Sequence, residues 1–314
     1  MSSKAQREES MRTKASQEEL AALIARHRPG GRGNIEPVPG LFLYHSSSRV
    51  GPLYRVSEPS LCLIAQGSKE VLLGTERYQY DPARYLLLSN GLPLVSRILE
   101  ASEERPYLGL RILLDPAIIM SVLVEADHLA PRANGDPRAL TVSRLSAPLL
   151  DAVVRLVRLV DTSRDYKILA PLIIREIVYR LLLGEQRGRL RRIAAVGSSE
   201  HRMSKAIDLI RAHYHKPLHI ARVAKNLGMS VSGVHHHFKS ATAMSPLQFQ
   251  KQLRLQEARR LLIADDCDAA TAAYRVGYDD PSHFSREYKR LFGEPPMRDV
   301  ERLRSPIRAR SPAA

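Results

Sequence analysis

The spacing of the hydrophobic residues changes near residue 115, and this change divides the chain into a β-rich part and a helical part. From about residue 35 to 114, short apolar runs are separated by Gly, Pro, Asn and Asp, which are typical of turns. About seven strands at this spacing predict a sandwich or a barrel. The clearest runs are LFLY (41–44), LCLIAQ (61–66), VLLG (71–74), YLLLS (85–89) and LGLRILL (108–114).

Helical spacing follows the β-rich part. A helix is predicted from Asp115-Pro116 to about Glu125, and a loop rich in Pro, Gly and Asp covers 127–140. Near 145–161 and 166–184, apolar residues recur at intervals of three and four, which predicts two helices forming a hairpin.

The domain boundaries follow from composition. Residues 1–15 and 304–314 are predicted to be disordered because they are polar or basic and lack an apolar period. Between them we place a first domain at 16–184, a linker at 185–200 and a second domain at 201–303. The linker holds four arginines, which either contact a phosphate backbone or form a solvated link, and the second interpretation is favoured. These are Arg187, Arg189, Arg191 and Arg192.

Two stretches of the second domain have the pattern of helix-turn-helix units. In residues 219–246, an apolar helix face ends at Gly228, which can adopt a left-handed turn, and Ser230 can cap the next helix. In that helix Val234 and Phe238 face inward. The opposite face then carries polar side chains, as a recognition helix requires for contact with base edges in a major groove. They are Ser232, His235, His236 and Lys239.

The second unit, residues 268–296, repeats this pattern. Gly277 makes the turn, and Asp280 and Pro281 begin the recognition helix, which Gly293 ends. Its inward stripe includes Phe284 and Tyr288. A rigid helix from Pro246 to Ile263 between the units can place both recognition helices about 34 Å apart, one turn of DNA. The outward side chains are Ser282, His283, Arg286 and Lys289.

The charge of the chain agrees with a protein that binds a polyanion. The formal net charge is +15 at pH 7, and neutralisation of phosphates by such a surface favours nucleic-acid binding. The two cysteines form no disulfide framework. No run resembles a membrane span and the N-terminus has no apolar signal core, so we expect a cytoplasmic, nucleoid-associated protein.

On these motifs, residues 201–303 resemble the DNA-binding domain of the AraC/XylS family of bacterial transcription regulators. The matching stretches are FKSATAMSPLQFQKQLRLQEARRLL (238–262) and AAYRVGYDDPSHFSREYKRLFGEPP (272–296). Residues 58–126, with EPSLCLIAQGSKEVLLG, YQYDPARYLLLS and RPYLGLRILLDP, resemble the N-terminal domain of one branch of that family.

The resemblance implies an α+β protein. Its N-terminal part is a cupin-like β-barrel with a helical hairpin, for sensing and dimerisation, and its C-terminal part is an all-α domain of two helix-turn-helix units. The implied partners are double-stranded promoter DNA and, for an activator, RNA polymerase. In the family, bases are contacted by the residues that correspond here to Ser232, His235, His236, Ser282, His283 and Arg286.

Other classes of function fit the sequence less well. Adjacent residues on a helix point about 100° apart, so His235, His236 and His237 cannot share a metal ion well. A metal cupin needs several histidines, but His45 is the only one between residues 28 and 127. We therefore predict no enzyme, no cofactor and no metal. A non-specific architectural DNA-binding protein remains the alternative.

Two hypotheses concern the first domain. Its apolar strands predict a cavity for a small organic effector. The hairpin helices have more apolar residues than one face needs, so they either form a homodimer contact or pack into their own domain, and both interpretations stay open. The residues off the main stripes are Leu150, Val154, Leu159, Leu172, Val178 and Leu182.

Overall fold

The computed structural model describes residues 3–27, 33–88, 92–126, 140–184, 186, 188–190, 199–264 and 267–308. They fall into two compact units, Met1–Ser204 and Lys205–Ala314. The first unit combines antiparallel strands with helices, and the second is helical, as the sequence predicts for an α+β chain.

The strands of the first unit form two antiparallel sheets. Six strands pair in the order β1-β2-β9-β4-β7-β10, and four pair in the order β3-β8-β5-β6. The prediction of a barrel is therefore wrong in detail, because the hydrogen-bonded ladders of the described strands do not close into one. The strands are β1 (Gly33–Val38), β2 (Leu41–Ser46), β3 (Val50–Ser57), β4 (Ser60–Gln66), β5 (Ser68–Leu73), β6 (Glu76–Tyr80), β7 (Arg84–Leu88), β8 (Leu92–Glu100), β9 (Tyr107–Leu113) and β10 (Leu140–Arg144).

Helices cover one face of the six-stranded sheet and build the largest core with it. Alternate strand residues such as Leu43, Leu63 and Leu110 point into this core, where they meet Leu149 and Ile177 of the helices. The two hairpin helices are confirmed close to their predicted positions. The helices are α1 (Ser3–Arg26), α2 (Pro116–Ala126), α3 (Ala147–Arg158), which continues as a 3₁₀ turn (Leu159–Asp161), and α4 (Ser163–Leu183).

Three boundaries differ from the sequence-based prediction. Helix α1 begins at Ser3, so 3–15 is helical rather than disordered; its Lys, Arg, Gln, Glu and Ala residues are good helix formers and need no apolar period. Gln186, Arg189 and Leu190 are buried, and Leu190 belongs to the core, so the first domain extends past residue 184 into the predicted linker. Residues 304–308 continue the last helix, whereas 309–314 lie outside the described residues.

The second unit is built from short helices around one long helix. Burial of Ile207, Phe238, Phe249, Leu262 and Tyr288 gives it a core of its own. Its helices are α5 (Ser199–Ala212), which begins in the last residues of the first unit, α6 (Ile220–Leu227), α7 (Val231–Thr242), α8 (Pro246–Ala264), α9 (Ala269–Arg275), α10 (Pro281–Phe292) and α11 (Pro296–Arg308).

Candidate nucleic-acid interface

Helices α6 and α7 form the first helix-turn-helix unit through the predicted turn. Gly228 ends α6 with a left-handed φ of 62°, and the Ser230 hydroxyl accepts a hydrogen bond from the Gly233 N–H at 3.1 Å. Val234 and Phe238 are fully buried, and the Phe238 ring meets the Phe249 ring edge-on. These contacts fix the orientation of α7 on the unit.

The opposite face of α7 is open to solvent. Ser232, His236 and Lys239 are exposed and His235 is half-buried. A row of hydroxyl, imidazole and ammonium groups is therefore presented on one side of the helix. Such groups can donate to or accept from base edges and phosphates.

Helices α9 and α10 repeat this construction. The Asp268 carboxylate accepts from the Thr271 N–H at 2.6 Å, and the Asp280 carboxylate accepts from the Ser282 N–H at 2.8 Å. The turn between the helices contains Gly277, whose φ is 91°. Phe284 and Tyr288 are fully buried, so α10, like α7, is held by one apolar stripe.

The outward face of α10 is more strongly basic. Ser282, His283, Arg286 and Lys289 are all exposed. The His283 ring lies edge-on to Tyr278, and its Nε2 is 3.9 Å from the Glu287 carboxylate. Glu287 also accepts from Lys251 of α8 at 2.9 Å and was not identified from the sequence.

The central helix α8 connects the two helix-turn-helix units through polar contacts that the sequence did not reveal. Arg254 donates to the carbonyl oxygens of Tyr214, Lys216 and Gly277 at 2.7, 3.0 and 2.7 Å. Gln250 donates to the first two of these carbonyls at 2.9 and 2.7 Å. Burial lowers the pKa of Arg254. A polar residue within the buried stripe of α8 is the one signal by which Gln250 could have been found.

A buried carboxylate anchors α10 from the other side. Asp299 of α11 is fully buried and accepts two hydrogen bonds from Arg259 of α8, at 2.7 and 2.9 Å. It also accepts from the Tyr288 hydroxyl at 2.9 Å. Burial raises the pKa of Tyr288, so this hydroxyl stays protonated and remains a donor. The recognition helix is thereby tied to both α8 and α11.

A basic cavity of about 200 Å³ lies where α5 meets α6. Its apolar lining includes Ile210 and Val223, and four basic side chains stand among the residues around it. The N-terminus of α6 opens beside it, and helices in this position of a helix-turn-helix cross the DNA backbone. The basic residues are His213, Lys216, His219 and Arg222.

Within the part of the chain that the structure describes, no three His, Cys, Asp or Glu side chains come together as metal ligands. Over the same residues, no helix is long and apolar enough to cross a membrane.

Two capped helix pairs, each with a buried stripe and a polar outward face, define a DNA-binding protein with two helix-turn-helix units. Residues 37–189 match the family model of the AraC-type transcriptional regulator N-terminus, and residues 223–302 match that of a helix-turn-helix domain. The chain belongs to the AraC/XylS family of transcription regulators.

Curated relatives agree with this family. The chain is 36% identical over 98 residues to a probable thc operon regulatory protein of Rhodococcus erythropolis, covering 30% of each chain. It is 27% identical over 164 residues to the transcriptional activator RhaS of Salmonella typhimurium, covering 52% of this chain and 58% of RhaS. The matches thus span less than two thirds of these relatives.

The fold of ToxT from Vibrio cholerae is similar. One ToxT structure has a TM-score of 0.56 at 12% identity and covers 83% of this chain and 97% of ToxT. A second, with an unsaturated fatty acid bound, has a TM-score of 0.54 at 11% identity and covers 87% and 96%. At this identity the likeness concerns the fold alone.

Proposed function

We propose that the protein is a sequence-specific transcription regulator whose helices α7 and α10 read two successive major grooves of promoter DNA. The observation that carries this proposal is the exposed polar face on each of these two helices. Each helix is held in place by its buried stripe, and α8 joins the two helix-turn-helix units. The bases and adjacent phosphates would be contacted by the eight predicted residues, Ser232, His235, His236, Lys239, Ser282, His283, Arg286 and Lys289.

Replacing Arg286 with alanine is expected to weaken specific binding by about 1–3 kcal/mol and to relax selection at one or two base pairs. Arg286 is exposed on the outward face of α10, where its planar guanidinium can bind a guanine edge through two hydrogen bonds. The measurement is binding-site selection from a random DNA library with the wild type and the variant.

Lys289→Ala is the matched control, because Lys289 lies one turn later on the same exposed helix. Because Lys289 is expected to contact a phosphate, its loss should weaken binding to all DNA sequences alike. It should also lower the slope of log K against log salt concentration by about one. An unchanged motif with Arg286→Ala would refute the role of this residue. Equal binding of selected and random DNA by the wild type would instead favour the architectural alternative.

We further propose that the first unit senses a small organic effector. The two sheets with their helices form the part of the chain outside the DNA-binding unit, and the similarly folded ToxT has been determined with a fatty acid bound. An effector that prefers one arrangement of the protein would shift its DNA occupancy. If the protein is an activator, its further partner is RNA polymerase.

Only a small part of the hairpin helices is left for a homodimer contact. Leu150, Val154, Val178 and Leu182 are buried in the core of their own unit and Leu159 packs against that core, so five of the six candidate residues have a partner within the domain. Leu172 is 60% exposed and its neighbour Ile168 is 70% exposed, one turn apart on α4. We propose that a second copy covers this part of α4.

Leu172→Glu is expected to shift a dimer toward monomer, because it places a charge in an apolar contact. Sedimentation of the full chain over a wide concentration range measures this shift. Leu53→Glu is the control, since Leu53 is 46% exposed on the four-stranded sheet, whereas α4 packs on the other sheet. A wild type that is monomeric throughout, or equal effects of both variants, would refute the contact.

A further inference from the structure

Two cationic side chains lie on the faces of the two sheets that are turned toward each other. Lys69 of β5 is only 6% exposed, and Arg111 of β9 is half-buried. Lysine and arginine are rarely buried in a protein interior without a specific reason. Neither residue takes part in the proposed contacts with DNA.

The register of β2 shows that both cations reach the same space. Leu41 and Leu43 point into the helix-covered core, so the alternate residues Phe42 and Tyr44 point toward the other sheet. The guanidinium carbon of Arg111 lies 4.1 Å from the centre of the Phe42 ring. The Nζ atom of Lys69, from the four-stranded sheet, lies 5.6 Å from the centre of the Tyr44 ring.

Phe42 and Tyr44 are two residues apart on one strand, which separates them by about 7 Å. The two cations therefore rest on neighbouring aromatic rings and flank a short stretch of the inter-sheet space. The Tyr107 hydroxyl lies over Gly109 in the same sheet, where a Cβ atom on this glycine would be 2.7 Å from it. Aromatic side chains thus form much of the wall beside the cations.

Two buried polar groups in this region have no hydrogen-bond partner among the described residues. They are the Nε atom of Arg111 and the hydroxyl of Ser96, a residue that is 2% exposed. Ser96 pairs with Val71, two residues along β5 from Lys69, so Ser96 and Lys69 lie on the same face of their sheet. Buried donors without acceptors are costly, and a bound acceptor would satisfy them.

The acidic residue next to Lys69 faces away from this space. Glu70 lies on the opposite face of β5, where its carboxylate is 3.0 Å from Arg77 and 4.0 Å from Arg97. The balance of charge toward the inter-sheet side of β5 is therefore positive. An apolar, aromatic wall with two cations favours a ligand that combines an apolar body with one anionic group.

We propose that the space between the sheets binds a small apolar carboxylic acid, whose carboxylate lies between the Lys69 ammonium and the Arg111 guanidinium. The body of the acid would pack against Phe42 and Tyr44, and the Ser96 hydroxyl would donate to a ligand oxygen. A carboxylate accepts hydrogen bonds through both oxygens, which suits two cationic donors. This inference rests on the proposed effector function and names its chemical class.

The test compares acids with their neutral amides on the full-length protein. Cinnamate, benzoate and octanoate and their primary amides are titrated by calorimetry and by thermal unfolding. At least one acid is expected to bind with a Kd below about 1 mM and at least tenfold more tightly than its amide. It should also raise the unfolding temperature, because a ligand that binds only the folded state stabilises it.

Lys69→Met and Arg111→Met are expected to reduce binding of that acid at least tenfold, while Arg97→Met leaves it unchanged. Arg97 is a suitable control because its exposed side chain lies on the other face of the same sheet and approaches Glu70. Removal of a buried charge is not expected to unfold the protein, and circular dichroism checks this. A variant that fails to fold is replaced by Lys69→Gln or Arg111→Gln.

The proposal is overturned if none of the acids binds the wild type, if amides bind as tightly as acids, or if both variants bind like the wild type. Operator binding is measured by gel shift on the same preparations. Specific DNA binding that persists when ligand binding fails would show that the regulator function stands and only the ligand class is wrong. Loss of specific DNA binding by the wild type would instead refute the proposed function itself.

Discussion

Replacing Gly277 with alanine is expected to disrupt the second helix-turn-helix unit and to abolish specific DNA binding. Gly277 has a φ of 91°, and a Cβ atom there would lie 2.0 Å from the carbonyl oxygen of His215 and 2.7 Å from its carbonyl carbon. The His215 backbone cannot move away easily, because the carbonyls of its neighbours Tyr214 and Lys216 are bonded to Gln250 and Arg254. Strain and overlap together should cost about 2–4 kcal/mol.

Gly228→Ala is the matched control for this variant. Gly228 holds the corresponding turn of the first helix-turn-helix unit with a φ of 62°, but a Cβ atom there would meet nothing within 4 Å. Only the cost of the left-handed conformation applies, about 1–2 kcal/mol. Hydrogen exchange followed by mass spectrometry reports the stability of each segment, and gel shift reports binding. Equal losses of stability and of DNA binding in both variants would show that the contact with His215 is not decisive.

The helix-turn-helix units could be predicted from sequence because their determinants are local. The caps Ser230, Asp268 and Asp280 lie within three residues of the N–H groups they accept from. The buried stripe and the outward face follow from the helical period alone. The two turn glycines look equivalent in sequence, yet only Gly277 approaches a second backbone, because that contact comes from a residue 62 positions earlier.

The polar contacts that join the helices could not be predicted in this way. Arg254 finds its carbonyl partners 23 to 40 positions away, and Arg259 and Asp299 are 40 positions apart. No local period links such residues. Their partners are set by how the helices cross, which depends on the whole core.

In the first unit, prediction succeeded for strands with buried apolar runs and failed for less regular ones. β4, which is buried along almost its whole length, reads as a continuous apolar run. β1 and β3 contain proline and glycine and occupy edge positions of the sheets, where such residues are tolerated. β10 lies just after a loop-like stretch, and its pairing with β7 is a contact distant in sequence.

Asp299→Ala is expected to destabilise the C-terminal unit by about 3–5 kcal/mol, because it removes the carboxylate that accepts two hydrogen bonds from the nearly buried Arg259 guanidinium. The Arg259 side chain is 11% exposed and Asp299 is 0% exposed, so water cannot replace the lost carboxylate. The Tyr288 hydroxyl of recognition helix α10 loses its acceptor as well. Specific DNA binding should fall together with stability, as measured by segment-resolved hydrogen exchange and gel shift.

Glu294→Ala provides the control. Glu294 also accepts a hydrogen bond from α11, from Arg302 at 3.0 Å, but its side chain is 44% exposed. A surface pair of this kind contributes at most about 1 kcal/mol. The double variant Arg259→Met/Asp299→Ala tests the cause, since it also removes the guanidinium and keeps an apolar side chain beside Phe292. It should be more stable than Asp299→Ala alone, because much of the penalty in the single variant comes from keeping the Arg259 charge buried after its two bonds to Asp299 are lost. Arg302 of α11 also donates to the Asp299 carboxylate, as the Tyr288 hydroxyl does. If the double variant is less stable than the single one, Asp299 acts mainly through these two residues, and the ion pair with Arg259 is not what holds α10 in place.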